Sequence, residues 1–323
     1  MALTADHIGH RVVVRRRVTV TGGDVADNRE RFSDVLGELV DLSESSLTVR
    51  RRDGELVVVD LGQVTAAKPV PPAAVRRPSE RELERIAALG WRGLEEERLG
   101  DWLLRAGNGF TGRANSFLPL GDPDRPIGDA LAFVTRWYGA RGLPPRSQVP
   151  LPLAQDLDDE LAAAGWRAYN SSRFLVSSLA DLLAACPPRP DLPPLTHESV
   201  PGPEWLAGYQ YRGQPLPDGA LSVLTNAIAP TFASVRDSTG LLGVARGIVD
   251  EGWLGATAVT VTEPARRRGI GSHLMRGLAE WAAGLGGSQV YLQVAEENVA
   301  AIAMYDRIGF RTHHRYHYRI GES

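Results

Sequence analysis

The sequence predicts a mixed α/β protein with a mainly antiparallel sheet, preceded by a small all-β barrel. Short β-rich runs crowd the first 70 residues. Two proline-rich stretches, Lys68-Pro69-Val70-Pro71-Pro72 and Cys186-Pro187-Pro188-Arg189-Pro190-Asp191-Leu192-Pro193-Pro194, then divide the rest of the chain. After the second stretch, consecutive strand patterns give way to a strand–helix–strand unit, which makes a mixed sheet. The expected domains are residues 1–70, 75–185 and 195–323.

The bulk composition sets limits. The chain has 323 residues, enough for two or three compact domains, and its 43% hydrophobic and 23% charged content is that of a globular protein. No run of eighteen apolar residues suggests a membrane span, and the N-terminus does not read as a secretory signal. Cys186 is the single cysteine, which excludes an internal disulfide and points to a reducing, cytoplasmic setting. The formal net charge of −3 argues against a wholly electrostatic nucleic-acid binder. Lys68 is the only lysine, so self-acetylation of a lysine side chain has a single target.

In the first segment, residues 11–18, 34–42, 47–52 and 55–60 read as strands, with Asp53-Gly54 as a hairpin turn. Size and pattern resemble SH3-like barrels. Arg15 to Arg17 and Arg50 to Arg52 could form a basic face, but nearby acidic residues favour a solvated surface.

In the middle segment, residues 79–89 predict a helix with Ser79 as N-cap and Glu82 completing a capping box. Strands follow at 102–105 and 114–118, then a helix at 127–138, a strand at 148–151, a helix at 157–164 and strands around Trp166 and Phe174. The last segment repeats this order. Helices are expected at 204–211 and 220–229 and strands at 232–236, 242–249 and 253–262. Residues 272–285 predict a helix with Leu274, Leu278, Trp281 and Leu285 on one face. A strand at 289–294, a helix at 298–307 and a β-rich tail at 309–319 complete the chain.

Arg266-Arg267-Arg268-Gly269-Ile270-Gly271-Ser272 lies between a strand and that amphipathic helix. Glycines allow a tight turn and close approach of a ligand, the first helical amides lack intrahelical acceptors, and arginines supply forked donors for phosphate oxygens. Leu274 breaks a dinucleotide fingerprint, and no Gly-Lys-Ser/Thr is present for a Walker motif. The loop suits a different polyphosphate.

These residues resemble the acyl-CoA pyrophosphate signature of the GNAT acetyltransferases, Gln/Arg-x-x-Gly-x-Gly/Ala. A second motif, Asn298, Ala301, Tyr305 and Gly309-Phe310, is spaced as in that family's downstream pattern. The resemblance spans about 130 residues and implies a GNAT fold with acetyl-CoA as cosubstrate. It places the backbone of Val259 to Val261 beside the acetyl and pantetheine groups. Amides from Arg267, Arg268, Gly269, Ile270, Gly271 and Ser272 would hold the pyrophosphate, next to Arg266. Asn298 would touch the cofactor and Tyr305 would stand beside its sulfur.

A phenol with a pKa near 10 is protonated at neutral pH and can protonate a departing thiolate, so Tyr305 is the expected general acid. Glu251 and Glu263, with Asp250, are candidate bases near the ends of the strand before the loop, and proton loss through ordered water is the rival. Asp306, His313, His314 and His317 invite a metal reading, but no complete ligand set is apparent and no metal is expected.

The middle segment resembles a GNAT half without its phosphate loop, since Gly121-Asp122-Pro123-Asp124-Arg125-Pro126-Ile127 stands where that loop should be. This degenerate half is expected to shape the acceptor cleft, with Arg105, Arg113 and Asn115 as candidate contacts. The reading is acetyl transfer from acetyl-CoA to a primary amine of a small molecule or a protein lysine. The alternative is a non-catalytic acetyl-CoA-sensing regulator whose barrel binds nucleic acid or a protein partner.

Overall fold

The computed structural model describes residues 3–18, 31–51, 54–70, 77–209 and 216–322. Two compact units are present, Met1–Arg77 and Pro78–Ser323.

The first unit is a five-stranded antiparallel sheet of β1 (Arg11–Val18), β2 (Arg31–Leu42), β3 (Ser46–Arg50), β4 (Leu56–Asp60) and β5 (Val64–Pro69), ordered β4-β3-β2-β1-β5. Alternation buries Val12, Val14, Val35, Leu39, Leu47, Val49 and Val59 in its core. The basic runs have acidic neighbours across the strands. Arg15 donates through Nε and Nη2 to the two oxygens of Asp34 at 2.8 and 2.9 Å, Arg50 reaches Glu38 at 3.3 Å, and Arg51 reaches Glu55 at 2.8 Å. Asp53, half of the expected hairpin turn, lies outside the described residues.

The second unit opens with α1 (Glu80–Gly90), a three-stranded sheet of β6 (Glu95–Leu99), β7 (Trp102–Ala106) and β8 (Leu118–Pro119), and α2 (Ile127–Gly139). Ser79 Oγ accepts from Glu82 N at 3.2 Å, fixing the start of α1. Next come β9 (Arg146–Leu151), α3 (Gln155–Ala163), β10 (Arg167–Ser178) and α4 (Leu179–Ala185). The last segment contributes β11 (Leu195–Glu198), α5 (Pro203–Gly208), α6 (Ala220–Thr225), β12 (Thr231–Asp237), β13 (Gly240–Asp250) and β14 (Trp253–Val261). It ends with α7 (Ile270–Gly284), β15 (Gln289–Ala295), α8 (Val299–Arg307) and β16 (Arg311–Ile320).

One eight-stranded sheet, ordered β11-β12-β13-β14-β15-β10-β16-β9, runs through both segments. β10 from the middle segment lies between β15 and β16, and β16 pairs in turn with β9. Strands are thus traded across the expected division, and residues 78–323 are one compact unit rather than two. The proline-rich stretch at 186–194 is docked rather than free. Arg276 of α7 donates to the carbonyls of Leu183 and Cys186 at 3.2 and 2.6 Å, and His273 Nε2 is 2.8 Å from Pro193 O.

Local tertiary bonds altered several expected elements. No strand forms over 114–117, because Asn115 Oδ1 accepts from the Gly107 and Gly109 amides and its Nδ2 donates to the carbonyls of Phe110 and Thr111. The strands expected around Trp166 and Phe174 are one strand with an irregularity between Tyr169 and Ser172, where Asn170 has φ of 55°. The helix expected over 220–229 stops at Thr225, and of the helix expected over 204–211, Tyr211 lies outside the described residues. On α7, Leu274 and Leu278 are buried, but Leu285 caps the end and is 58% exposed. Among the described residues no helix is long and apolar enough to cross a membrane.

Candidate active site

The site begins where two neighbouring strands part. β14 and β15 run parallel through Trp253 opposite Gln289, Leu254 opposite Val290 and Gly255 opposite Tyr291, and their pairing ends there. A side chain at Gly255 would collide with the Tyr291 hydroxyl, so only glycine lets the Tyr291 ring sit at the fork. On its other edge β14 carries a bulge, with Val244 and Arg246 opposite Thr260 and Thr257, and Ala258 at φ of 54°. Past the fork, the facing edges of β14 and β15 have no ladder bonds to each other, which leaves backbone donors and acceptors for a ligand.

A cavity of about 600 Å³ fills the gap, walled by Thr257 and Val259 of β14, Gln293 of β15, and Asn298 and Tyr305 from the α8 side. Alternation sorts its two sides. Val290, Leu292 and Val294 point into the core shared with α7 and Tyr305, whereas Tyr291 packs with Leu83, Ile86 and Ala87 of α1. Gln293, two residues beyond Tyr291, therefore faces the α1 side with Arg113 and Tyr316. Tyr305 approaches from the α7 side.

Downstream of β14 the chain makes a short 3₁₀ turn (Glu263–Ala265) and enters α7 through Arg267 at φ of 62° and Gly269 at φ of 85°. Gly269 is the N-cap and no side chain caps the helix, so the amides of Ile270, Gly271 and Ser272 have no intrahelical acceptor. Such an end stabilises an anion by roughly 0.3–1 kcal/mol. A Cβ on Gly269 would meet the Arg189 guanidinium at 2.6 Å, and one on Gly271 would meet Met304 Sδ at 2.7 Å. Arg266, Arg267 and Arg268 are exposed around this turn, and Arg268 lies 3.5 Å from Asp237. The uncapped helix end, the two glycines and the adjoining gap fit a pyrophosphate followed by an extended amide-bearing arm.

Tyr305 is 6% exposed, with its ring edge-on to Phe310 at 5.6 Å, and burial pushes its phenol above the ordinary value. It is thus kept protonated. Asn298 lines the cavity while its Oδ1 caps α8 by accepting from Ala301 N at 3.1 Å. Val261 packs at the edge of the α7 core rather than on the cavity wall.

The three candidate bases lie elsewhere, Asp250 at the end of β13 and none of them on the cavity wall. Glu251 sits in the turn before β14, whose first residue, Trp253, is about 20 Å along the strand from Val259 at roughly 3.3 Å per residue. Arg85 donates to both of its oxygens, at 2.7 and 2.5 Å, and the hydrogen bond holds its carboxyl below the usual range. Glu263 is exposed at the start of the 3₁₀ turn and does not line the cavity.

Of the three candidate acceptor contacts only Arg113 reaches the cavity, donating through Nη2 to Gln293 O at 3.2 Å and the Tyr316 hydroxyl at 3.1 Å. Arg105 is fully buried and donates to Ser116 and Gln148, and Asn115 ties the loop that carries Arg113. The histidines serve the core: His314 Nε2 is 2.9 Å from Glu84 and His317 Nε2 is 2.7 Å from Asp158. Sequence reasoning missed Asn170, Gln293 and Tyr316, all in the cavity wall. A lone glutamine in the apolar run Val290-Tyr291-Leu292-Gln293-Val294 was a legible signal.

The family model described as "Probable histone acetyltransferase Rv0428c C-terminal" matches residues 79–319, and "Rv0428c N-terminal Sm-like domain" matches residues 6–68. The chain is 30% identical over 246 residues to "Uncharacterized N-acetyltransferase YobR" of Bacillus subtilis, covering 74% of this chain and 98% of that one. It belongs to the GNAT N-acetyltransferases. This GNAT chain is also 30% identical over 316 residues to "Probable histone acetyltransferase Rv0428c" of Mycobacterium tuberculosis, covering 95% of each. A GCN5-related N-acetyltransferase from Kribbella flavida shares the fold at a TM-score of 0.58 and 15% identity, covering 75% of this chain and 95% of that one. A tandem GNAT protein from the clavulanic acid biosynthesis pathway aligns at a TM-score of 0.50 and 17% identity, covering 83% of each chain. The protein is an acetyl-CoA-dependent acetyltransferase of mixed α/β fold with a small Sm-like β unit before it.

Proposed function

We propose that this acetyltransferase moves the acetyl group directly to a primary amine, with Tyr305 as the general acid. The observation that carries the reading is one cavity holding both the parted edges of β14 and β15 and the buried phenol of Tyr305. The parted edges and the start of α7 would orient acetyl-CoA, with Asn298 beside it, so that its sulfur faces Tyr305. A neutral amine attacks the acetyl carbonyl carbon, the C–N bond forms and the C–S bond breaks. The leaving sulfur takes the phenol proton, the amine's surplus proton leaves through water, and solvent restores the phenol. With Glu251 held by Arg85 and Glu263 outside the cavity, the water route replaces a dedicated carboxylate base.

In this reading the middle segment is a degenerate GNAT half that shapes the acceptor side and holds no second acetyl-CoA. The relative named a histone acetyltransferase makes protein lysine one acceptor class, and a small-molecule amine is the other. Free-thiol release from acetyl-CoA, measured across amino acids, polyamines, aminoglycosides and basic peptides, tests the proposal. Turnover that is lost in Tyr305→Phe supports it. Tight acetyl-CoA binding without turnover on any acceptor overturns it in favour of a sensor.

A further inference from the structure

We infer that the acceptor carries a carboxylate close to its reacting amine, recognised by Arg113 and Gln293 on the α1 side of the cavity under the positive field of Arg246. The inference rests on the amine acetyltransferase reading and names the substrate class of that same site.

Three donor groups gather there. The Gln293 Nε2 amide is buried in the cavity wall and has no hydrogen-bond partner among the described residues. Arg113 lies on the same wall, fixed through Nη2 to Gln293 O and the Tyr316 hydroxyl. Arg246 is the third group. It stands opposite cavity-lining Thr257 in the strand register, is 0% exposed, and donates from Nε to Leu224 O at 2.9 Å. Its Nη1 and Nη2 have no partner, and no carboxylate pairs with it among the described residues. Burial pushes its pKa down to about 10, so it is still a cation at neutral pH.

Both guanidinium groups lie against one ring. Arg246 Cζ is 5.0 Å and Arg113 Cζ 5.7 Å from the Trp91 centroid, so the two cations are at most about 11 Å apart through protein rather than water. Arg246 is a buried cation that no carboxylate pairs with among the described residues, and an anion beside Arg113 sets an opposite charge near it. Among the described residues the one other charged side chain on the cavity wall, Glu297, is exposed in the turn beside Asn298. A carboxylate accepts from both a guanidinium and an amide N–H, and it complements this donor set. A lysine-rich peptide would bring further cations to the same wall and is the disfavoured class.

The test compares matched acceptors on the full-length protein. Each amino acid is assayed by thiol release beside its α-amide and the corresponding amine lacking the carboxylate, with a basic peptide as a fourth arm. The expected result is a kcat/KM at least tenfold higher for the free carboxylate, carried mostly by KM. In Arg113→Gln that ratio should fall to near one, and Arg113→Lys should restore part of it. Equal rates for carboxylate and amide, or the basic peptide as best acceptor, would overturn the inference while leaving amine acetylation standing. If no amine is acetylated, the function reading fails. The inference is then decided by calorimetric titration of the amino acids and their amides into acetyl-CoA-saturated protein. Carboxylate-dependent binding that weakens in Arg113→Gln upholds it, and no such binding sinks it.

Discussion

Gly255 and Tyr291 are the last residues to face each other before β14 and β15 separate, and the Tyr291 hydroxyl fills the space a Gly255 side chain would need. Gly255→Ala should therefore strain the fork. A cost of about 1–3 kcal/mol is expected from such overpacking, seen as a lower Tm. A second change, Tyr291→Leu, should recover part of it, and additive losses in the double variant would disprove the coupling.

Tyr305→Phe keeps the ring and its packing on Phe310, so the fold and acetyl-CoA affinity should be nearly unchanged. Turnover should drop by about 10²-fold or more, the usual contribution of a positioned general acid. Thiol-release kinetics beside calorimetric Kd values check both halves, and an active variant would remove the phenol from the chemistry.

Gly269 holds φ of 85° under the Arg189 guanidinium, at the entry to the uncapped end of α7. Gly269→Ala should cost about 1–2 kcal/mol through its left-handed backbone and weaken acetyl-CoA binding. Gly269→Glu, which adds a carboxylate against phosphate, should abolish binding. A titration showing wild-type affinity in Gly269→Glu would place the pyrophosphate elsewhere.

Asp158 ties α3 to β16, accepting from Arg319 Nε at 2.7 Å and Nη2 at 3.1 Å and lying 2.7 Å from His317 Nε2. Burial alone would raise its pKa, but the hydrogen bonds from Arg319 and His317 outweigh it and the net shift is downward. A depressed carboxylate stabilises the fold above its unfolded pKa near 4, and that stability is lost as pH falls through the folded value. Asp158→Asn should thus lower stability at pH 7 by about 3 kcal/mol, as for a partner removed from a buried pair. Denaturant titrations from pH 7 downward should show the two proteins converging below pH ~4, and a gap independent of pH would contradict the assignment.

Arg276 holds the start of the proline-rich stretch to α7 through the carbonyl of Cys186, beside that of Leu183 in α4. Arg276→Ala should release it, costing about 1.5–3 kcal/mol as a charged hydrogen-bond donor is lost. Limited proteolysis should then cut within 186–194 where the wild type resists, and equal resistance would show that other contacts suffice.

Sequence alone determined the locally encoded parts of this protein. Ser79 marked the start of α1, alternation marked most strands, and the apolar stripe marked α7. Gly269 marked the turn into α7 because glycine adopts its left-handed backbone without steric cost, and Gly271 stands where Met304 leaves no room for a Cβ. The spacing of Asn298 and Tyr305 along one helix likewise needed no partner to be read. Tertiary structure decided what depends on residues distant in the chain. It threaded β10 between β15 and β16, docked a stretch that composition reads as a linker, and turned Asn115 into a loop tie. It also drew Glu251 to Arg85, 166 positions away, and brought Arg113 to Gln293, 180 positions away. Local backbone preference leaves its mark within a few neighbouring residues, whereas a strand's neighbour and a charge's partner are chosen by burial across the whole fold.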